Sequence, residues 1–145
     1  MLAVTDNARE SLFLSVWPPE AVLINDAVVR AETRGVVVIA GIFGRCDTSW
    51  QNQINLESCG ASSQKRLGNR LTVIVSDNKE VVISEISPTG EAAGILTSTP
   101  CIVLVAKEYI KHDIWGKYLI DALGQQTFNE MCLTNKTLSY LINNR

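Results

Sequence analysis

Residues 11–40 read SLFLSVWPPEAVLINDAVVRAETRGVVVIA, and this stretch decides the fold class. Ser11–Val16 is a short apolar run of strand length that stops at Trp17-Pro18-Pro19, which reads as a buried strand. The two prolines end the strand and suit the first turn of a helix, where a missing N–H costs nothing. Glu20 follows in that turn, where the helix dipole favours a negative charge. From Glu20 to Thr33, Leu23, Ala27, Val28 and Ala31 recur at helical spacing. Asp26, Arg30, Glu32 and Arg34 are the polar positions among them, so the segment predicts an amphipathic helix closed by Gly35 as its C′ residue. Val36–Ala40 is uncharged and mostly β-branched, which suits a strand covered on both faces. Strand, helix and strand in so short a span form a βαβ unit with parallel neighbours, and hence an α/β architecture.

Outward from this unit the texture changes. Gly41 to Asn69 is rich in Gly, Ser, Asn and Gln and includes Gly44-Arg45-Cys46-Asp47, Trp50 and Gly60-Ala-Ser-Ser63. It reads as a long irregular connection with one short helix near Ser49–Glu57, and a loop of that length in a compact domain is usually functional. Arg70–Ser76 and Glu80–Ile86 read as a hairpin around Asp77-Asn78-Lys79, and Glu91–Thr97 as a third short strand after the turn at Ser87–Gly90. Thr99-Pro100 opens a long helix that Gly124 ends. Ile102, Ala106, Tyr109, Ile110, Trp115, Tyr118, Leu119 and Ala122 spread its apolar surface over an arc wider than one core needs. That width points to a second contact, with Tyr109, His112, Trp115 and Tyr118 as the dimer-interface residues. Thr134–Asn143 closes the chain as a short amphipathic helix with Leu138 and Leu141 inward.

Composition limits the function. The chain has 145 residues, 46% hydrophobic and 19% charged, with a net charge of −2. This length fits a single domain, residues 1–145, with a sizeable core, and the composition excludes a disordered chain. An acidic balance disfavours nucleic-acid binding by these residues alone, because phosphate contacts demand a basic excess. The first eleven residues lack the pattern of a signal peptide, and no apolar run is long enough to span a bilayer, so the expectation is a cytoplasmic protein with no membrane partner. The four cysteines, Cys46, Cys59, Cys101 and Cys132, have no CxxC spacing, and His112 is the only histidine. No metal site and no cofactor are therefore expected.

Three blocks carry a family resemblance. They are ARESLFLSVWPPEAVLINDAVVRAETRGVVVIAGIFG (residues 8–44), GNRLTVIVSDNKEVVISEI (68–86) and TPCIVLVAKEYIKHDIWGKYLIDALG (99–124). In order and spacing they resemble the effector domain of the TrmB family of transcriptional regulators, which has the phospholipase D-like α/β fold. The resemblance implies a homodimer that binds a small-molecule effector such as a sugar or sugar phosphate. It also implies that DNA is reached only through a separate N-terminal winged-helix domain absent from these residues.

The phospholipase D superfamily motif is HxKxxxxD, in which histidine attacks phosphorus, lysine binds the phosphate oxygens and aspartate orients the site. The matching stretch here places Arg70 at the histidine, Thr72 at the lysine and Asp77 at the aspartate, and Ser84-Glu85 stands for the usual Gly-Ser/Asn. Phosphoryl transfer through a phosphohistidine has no nucleophile in that pattern, so no catalytic residue is expected. Two groups remain as candidate ligand contacts. Arg70, Thr72 and Asp77 stand where the old catalytic pocket would lie, and a guanidinium suits an anion. Arg45, Asp47 and Trp50 follow the carboxyl end of the second strand, where open α/β sheets place ligands. The alternatives are a dimerisation or interaction domain without a ligand, and a phosphodiesterase-like enzyme.

Overall fold

A computed structural model describes residues 1–58 and 67–143. Cys59 and Gly60–Ser63 of the long connection lie outside the described residues. A short helix, α1 (Leu2–Asn7), leads into β1 (Ser11–Val16), α2 (Pro18–Thr33) and β2 (Val37–Ile42). Then come β3 (Gln53–Asn55), β4 (Arg70–Ser76), β5 (Glu80–Ile86) and β6 (Ala92–Thr97), followed by the helices α3 (Pro100–Leu123), α4 (Gln125–Thr134) and α5 (Lys136–Asn143). The six strands form one sheet in the order β3-β2-β1-β4-β5-β6. β1, β2 and β3 run parallel, with Ser11 opposite Val37 and Ala40 opposite Gln53. β4 returns antiparallel against β1 and continues as a meander through β5 and β6. The expected βαβ unit is present as β1-α2-β2, and the α/β architecture holds.

Alternation along the strands sorts side chains onto two faces. Leu12, Leu14, Val16, Val38, Ala40, Ile42, Ile74 and Val82 face α1 and α2, and meet Val4, Ala21, Ile24, Val28 and Ala31. Val73, Val75 and Val81 face α3 and meet Val103, Ala106, Ile110 and Ile114. Gly35, at φ +86, ends α2 in the left-handed conformation. Its N–H donates to the Glu32 carbonyl, and Val36 N–H donates to that of Ala31, the pattern of a glycine C′ stop.

Several details correct the sequence reading. No helix forms over residues 49–56; β3 lies there instead. It is a three-residue, largely polar edge strand held by its neighbour, with Asn52 Nδ2 donating to the Val38 carbonyl at 2.8 Å and Leu56 N–H to that of Ile42 at 2.7 Å. On α2 the inward face is Ala21, Ile24, Ala27, Val28 and Ala31, while Leu23 is exposed. Apolar residues run consecutively from Ala21 to Ile24, so spacing alone allows two registers and contact with the sheet selects one. α1, which was not expected, is tied to α2 by the Arg30–Asp6 ion pair at 2.7 Å. Two C-terminal helices stand where one was expected. Asn135 separates them, its side-chain oxygen accepting from Thr137 and Leu138 N–H as an N-cap does. Thr99 sits at the N-cap of α3, but its hydroxyl pairs with Thr97 rather than with the helix.

Candidate functional site

The carboxyl ends of β1 and β2 and the first residues of β4 meet at one end of the sheet. Trp17 leaves β1 there, stacks on Phe43 with ring centroids 5.1 Å apart, and donates from Nε1 to the Leu71 carbonyl at 3.1 Å. Arg70 opens β4 at the same end. Its Nη2 lies 3.0 Å from Glu20 Oε1 and its Nε 3.4 Å from Oε2. Glu20 is 4% exposed, and a carboxylate so buried requires a counter-charge, which Arg70 provides. Two residues on, Thr72 is buried on the same side of the strand, and its hydroxyl has no hydrogen bond among the described residues. Ser84, its partner in register across the hairpin, is buried too. The positions of the histidine and lysine in the motif are thus occupied by an ion-paired arginine and a buried hydroxyl.

Asp77 stands at the other end of β4. Seven residues at ~3.3 Å each put it on the order of 20 Å from Arg70. Asp77 and Asn78 both take positive φ, 53° and 56°, the signature of a type I′ hairpin turn, for which Asp and Asn are suited. The Asp77 carboxylate accepts hydrogen bonds from the backbone N–H groups of Arg9, Glu10 and Ser11 at 2.7 to 3.1 Å. Desolvation opposes its ionisation, but the N–H donors of Ser11, Glu10 and Arg9, with the charge of Lys79, outweigh it and hold the carboxyl below its ordinary range. Asp77 therefore fastens the start of β1 and does not share a site with Arg70 and Thr72.

The loop after β2 builds a second arrangement. Gly44 passes so close to α2 that an added Cβ would lie 2.9 Å from Pro18 Cγ, at φ +154, so a side chain there would push the loop away. Between loop and helix opens a cleft of about 640 Å³, lined by Pro18, Pro19, Val22, Asn25, Asp26, Arg45, Cys46, Asp47 and Thr48. Arg45 Nε donates to Glu57 Oε2 at 3.2 Å. Trp50 lies beneath the loop, buried, and its Nε1 donates to Asn25 Oδ1 at 3.1 Å. Gln51 N–H donates to Glu32 at 2.7 Å, so the loop is pinned to α2 at two points. Arg45 and Asp47 thus share a cleft that Trp50 supports from behind, whereas Arg70 and Thr72 lie on the inward side of α2, away from it. Asn25, Asp26 and Glu20 were not among the expected site residues. In sequence Asp26 reads only as a polar position of α2 and Glu20 as a dipole-favoured charge, and Asn25 carries no signal of its own.

On α3, Tyr109 is half-buried and lines an apolar cavity of about 400 Å³ with Leu71, Val73 and Ile83. His112, Trp115 and Tyr118 are exposed, and His112 meets the Trp115 ring edge-on at 5.3 Å. Among the described residues no three His, Cys, Asp or Glu side chains converge as a metal site would require. No described helix is long and apolar enough to cross a membrane.

Solved structures share this fold. A phospholipase D family member, Nuc from Salmonella typhimurium, matches with a TM-score of 0.52 at 19% identity, over 79% of this chain and 84% of that one. NucT from Helicobacter pylori matches with a TM-score of 0.55 at 16% identity, over 78% and 84%. TrmBL2, an archaeal chromatin protein whose structure shows a novel mode of DNA binding, matches with a TM-score of 0.52 at 14% identity, over 79% of this chain but only 46% of its own. No family profile matches the chain, and no curated protein matches it. The fold is therefore phospholipase D-like, and its structural neighbours include a TrmB-like protein.

Proposed function

We propose that this chain is the non-catalytic regulatory domain of a TrmB-like transcriptional regulator. It binds a small polar effector and self-associates, and DNA is engaged by a separate winged-helix domain of the same regulator. The observation that carries the reading is the Arg70–Glu20 ion pair at the motif position of the histidine. A guanidinium is not a nucleophile at phosphorus, and this one is already neutralised by a buried carboxylate. With Thr72 in place of the lysine, no cation remains at that motif position to hold phosphate oxygens.

The cleft between α2 and the Gly44–Thr48 loop suits the effector. Asp26, Asp47, Asn25 and Thr48 offer acceptors and donors over an apolar floor of Pro18, Pro19 and Val22. Among the described lining residues Arg45 is the single cation, and it is already paired with Glu57. Two carboxylates against one ion-paired arginine favour a neutral, hydroxyl-rich sugar over its phosphate. A sugar seated there bridges loop and helix. It shifts the balance between arrangements of two protomers only by the difference in its affinity for them.

A thermal-shift screen tests this. A neutral sugar raises Tm, Asp47→Ala abolishes the rise, and the sugar phosphate gives a smaller one. If no sugar stabilises the chain, the sensor reading fails. Hydrolysis of a simple phosphodiester such as bis(p-nitrophenyl) phosphate by the purified protein, lost in Arg70→Ala, would establish the enzyme instead.

A further inference from the structure

α3 outruns the body of the protein. Its inward residues are Val103, Ala106, Ile110 and Ile114, and no described residue after Ile114 is buried. Residues 115–123 continue the helix with Trp115, Tyr118, Leu119 and Leu123 exposed, spaced as one stripe on the side opposite the inward row. α4 packs on α3, and α5 packs on α4. They expose Leu133 at 85% and Leu141 at 60%.

Helices this short are marginal in water without tertiary packing, and exposed apolar surface of this size marks an interaction site. We infer that residues 115–143 form a dimerisation arm that pairs with the same arm of a second copy of the chain. The inference rests on the self-associating regulator proposed above and names its interface.

Area and charge both select a second copy as the occupant. The six apolar side chains named on the arm present on the order of 700 Å², close to the ~800 Å² that each partner gives up in a standard interface. The arm carries Lys117 and Lys136 against Asp121 and Glu130, and Lys117 is already paired with Asp121. An anionic membrane or a nucleic acid would require a basic excess, and this balanced arm has none. A two-fold axis lets one neutral, apolar stripe serve as both halves of the contact.

Light scattering after size exclusion tests the arm. Wild type elutes at twice the chain mass, and Trp115→Glu/Leu119→Glu elutes at the mass of one chain, its dimer Kd raised on the order of 100-fold or more. Both replaced side chains are exposed, so the variant keeps the wild-type circular dichroism of the body.

A second measurement needs no variant. Trp17 and Trp50 are buried within one chain, so a red shift of tryptophan emission as wild type is diluted reports exposure of Trp115. A dimer that survives the double substitution, or that dissociates without the emission shift, overturns the arm and leaves self-association standing through another surface. A wild-type monomer at high concentration overturns both.

Discussion

The two ends of β4 carry residues that the motif spacing set together in one site, and the structure puts them to different uses. At the first end Arg70 is paired with Glu20, and Thr72 is buried behind it. At the last, Asp77 gathers three backbone N–H groups from the segment that opens β1. The difference teaches that residues matched by spacing along one strand need not act together, because the strand carries them to opposite ends of the sheet. The Arg70 end closes an internal ion pair, while Asp77 holds strands together. A motif letter matched in sequence therefore need not signal a shared site.

Breaking the Arg70 end should cost most. Glu20→Ala leaves the guanidinium beside the core without its partner. Because Arg70 is about one-quarter exposed, the loss should be about 3 kcal/mol, the lower end for a broken buried pair. Urea denaturation reads it. The double variant Glu20→Leu/Arg70→Leu should recover most of that loss, and equal losses in the single and double variants would show that the pair is not coupled.

The Asp77 end should respond less, and with a pH signature. Asp77→Ala should cost about 2 kcal/mol, since several bonds to a charged acceptor are lost at a partly exposed site. The folded carboxyl lies below its ordinary range. Its contribution is therefore complete above the unfolded carboxylate value near pH 4 and drains away as pH falls through the folded value. Asp77→Asn should flatten that acid limb of the stability curve, and an unchanged limb would assign it to other carboxylates. The smallest effect belongs to Thr72→Val. Removing a buried hydroxyl without a partner should leave stability within about 0.5 kcal/mol of wild type or raise it, as melting curves would show.

What could be read before folding follows the same division. The β1-α2-β2 unit announces itself because its strands are covered on both sides and its helix is bounded by Pro18-Pro19 and Gly35, signals that act locally. β3 has no such signal: Gln53–Asn55 is polar and short, and becomes a strand only because β2 offers it a backbone edge. The loop position of Arg45 and Asp47 marks one wall of the cleft. Asn25 and Asp26, on the other wall, sit on the outward side of α2, and their relation to the loop exists only once Trp50 is anchored to Asn25. Asp77 shows the opposite case. Its spacing from Arg70 suggests one constellation, yet the rise of an extended strand carries it to the far end of the sheet.

The Asp77 clasp also has a meaning in time. It joins residues 66 to 68 positions apart in sequence, whereas its own turn closes between the neighbouring residues Ser76 and Lys79. The hairpin can form early, but the clasp must wait until β1 has found β4, because long loops are slow to close. Interactions made after the rate-limiting step govern escape from the native state rather than arrival at it. In stopped-flow mixing, Asp77→Ala should refold at the wild-type rate and unfold faster, which makes this carboxylate a latch on the lifetime of the folded chain.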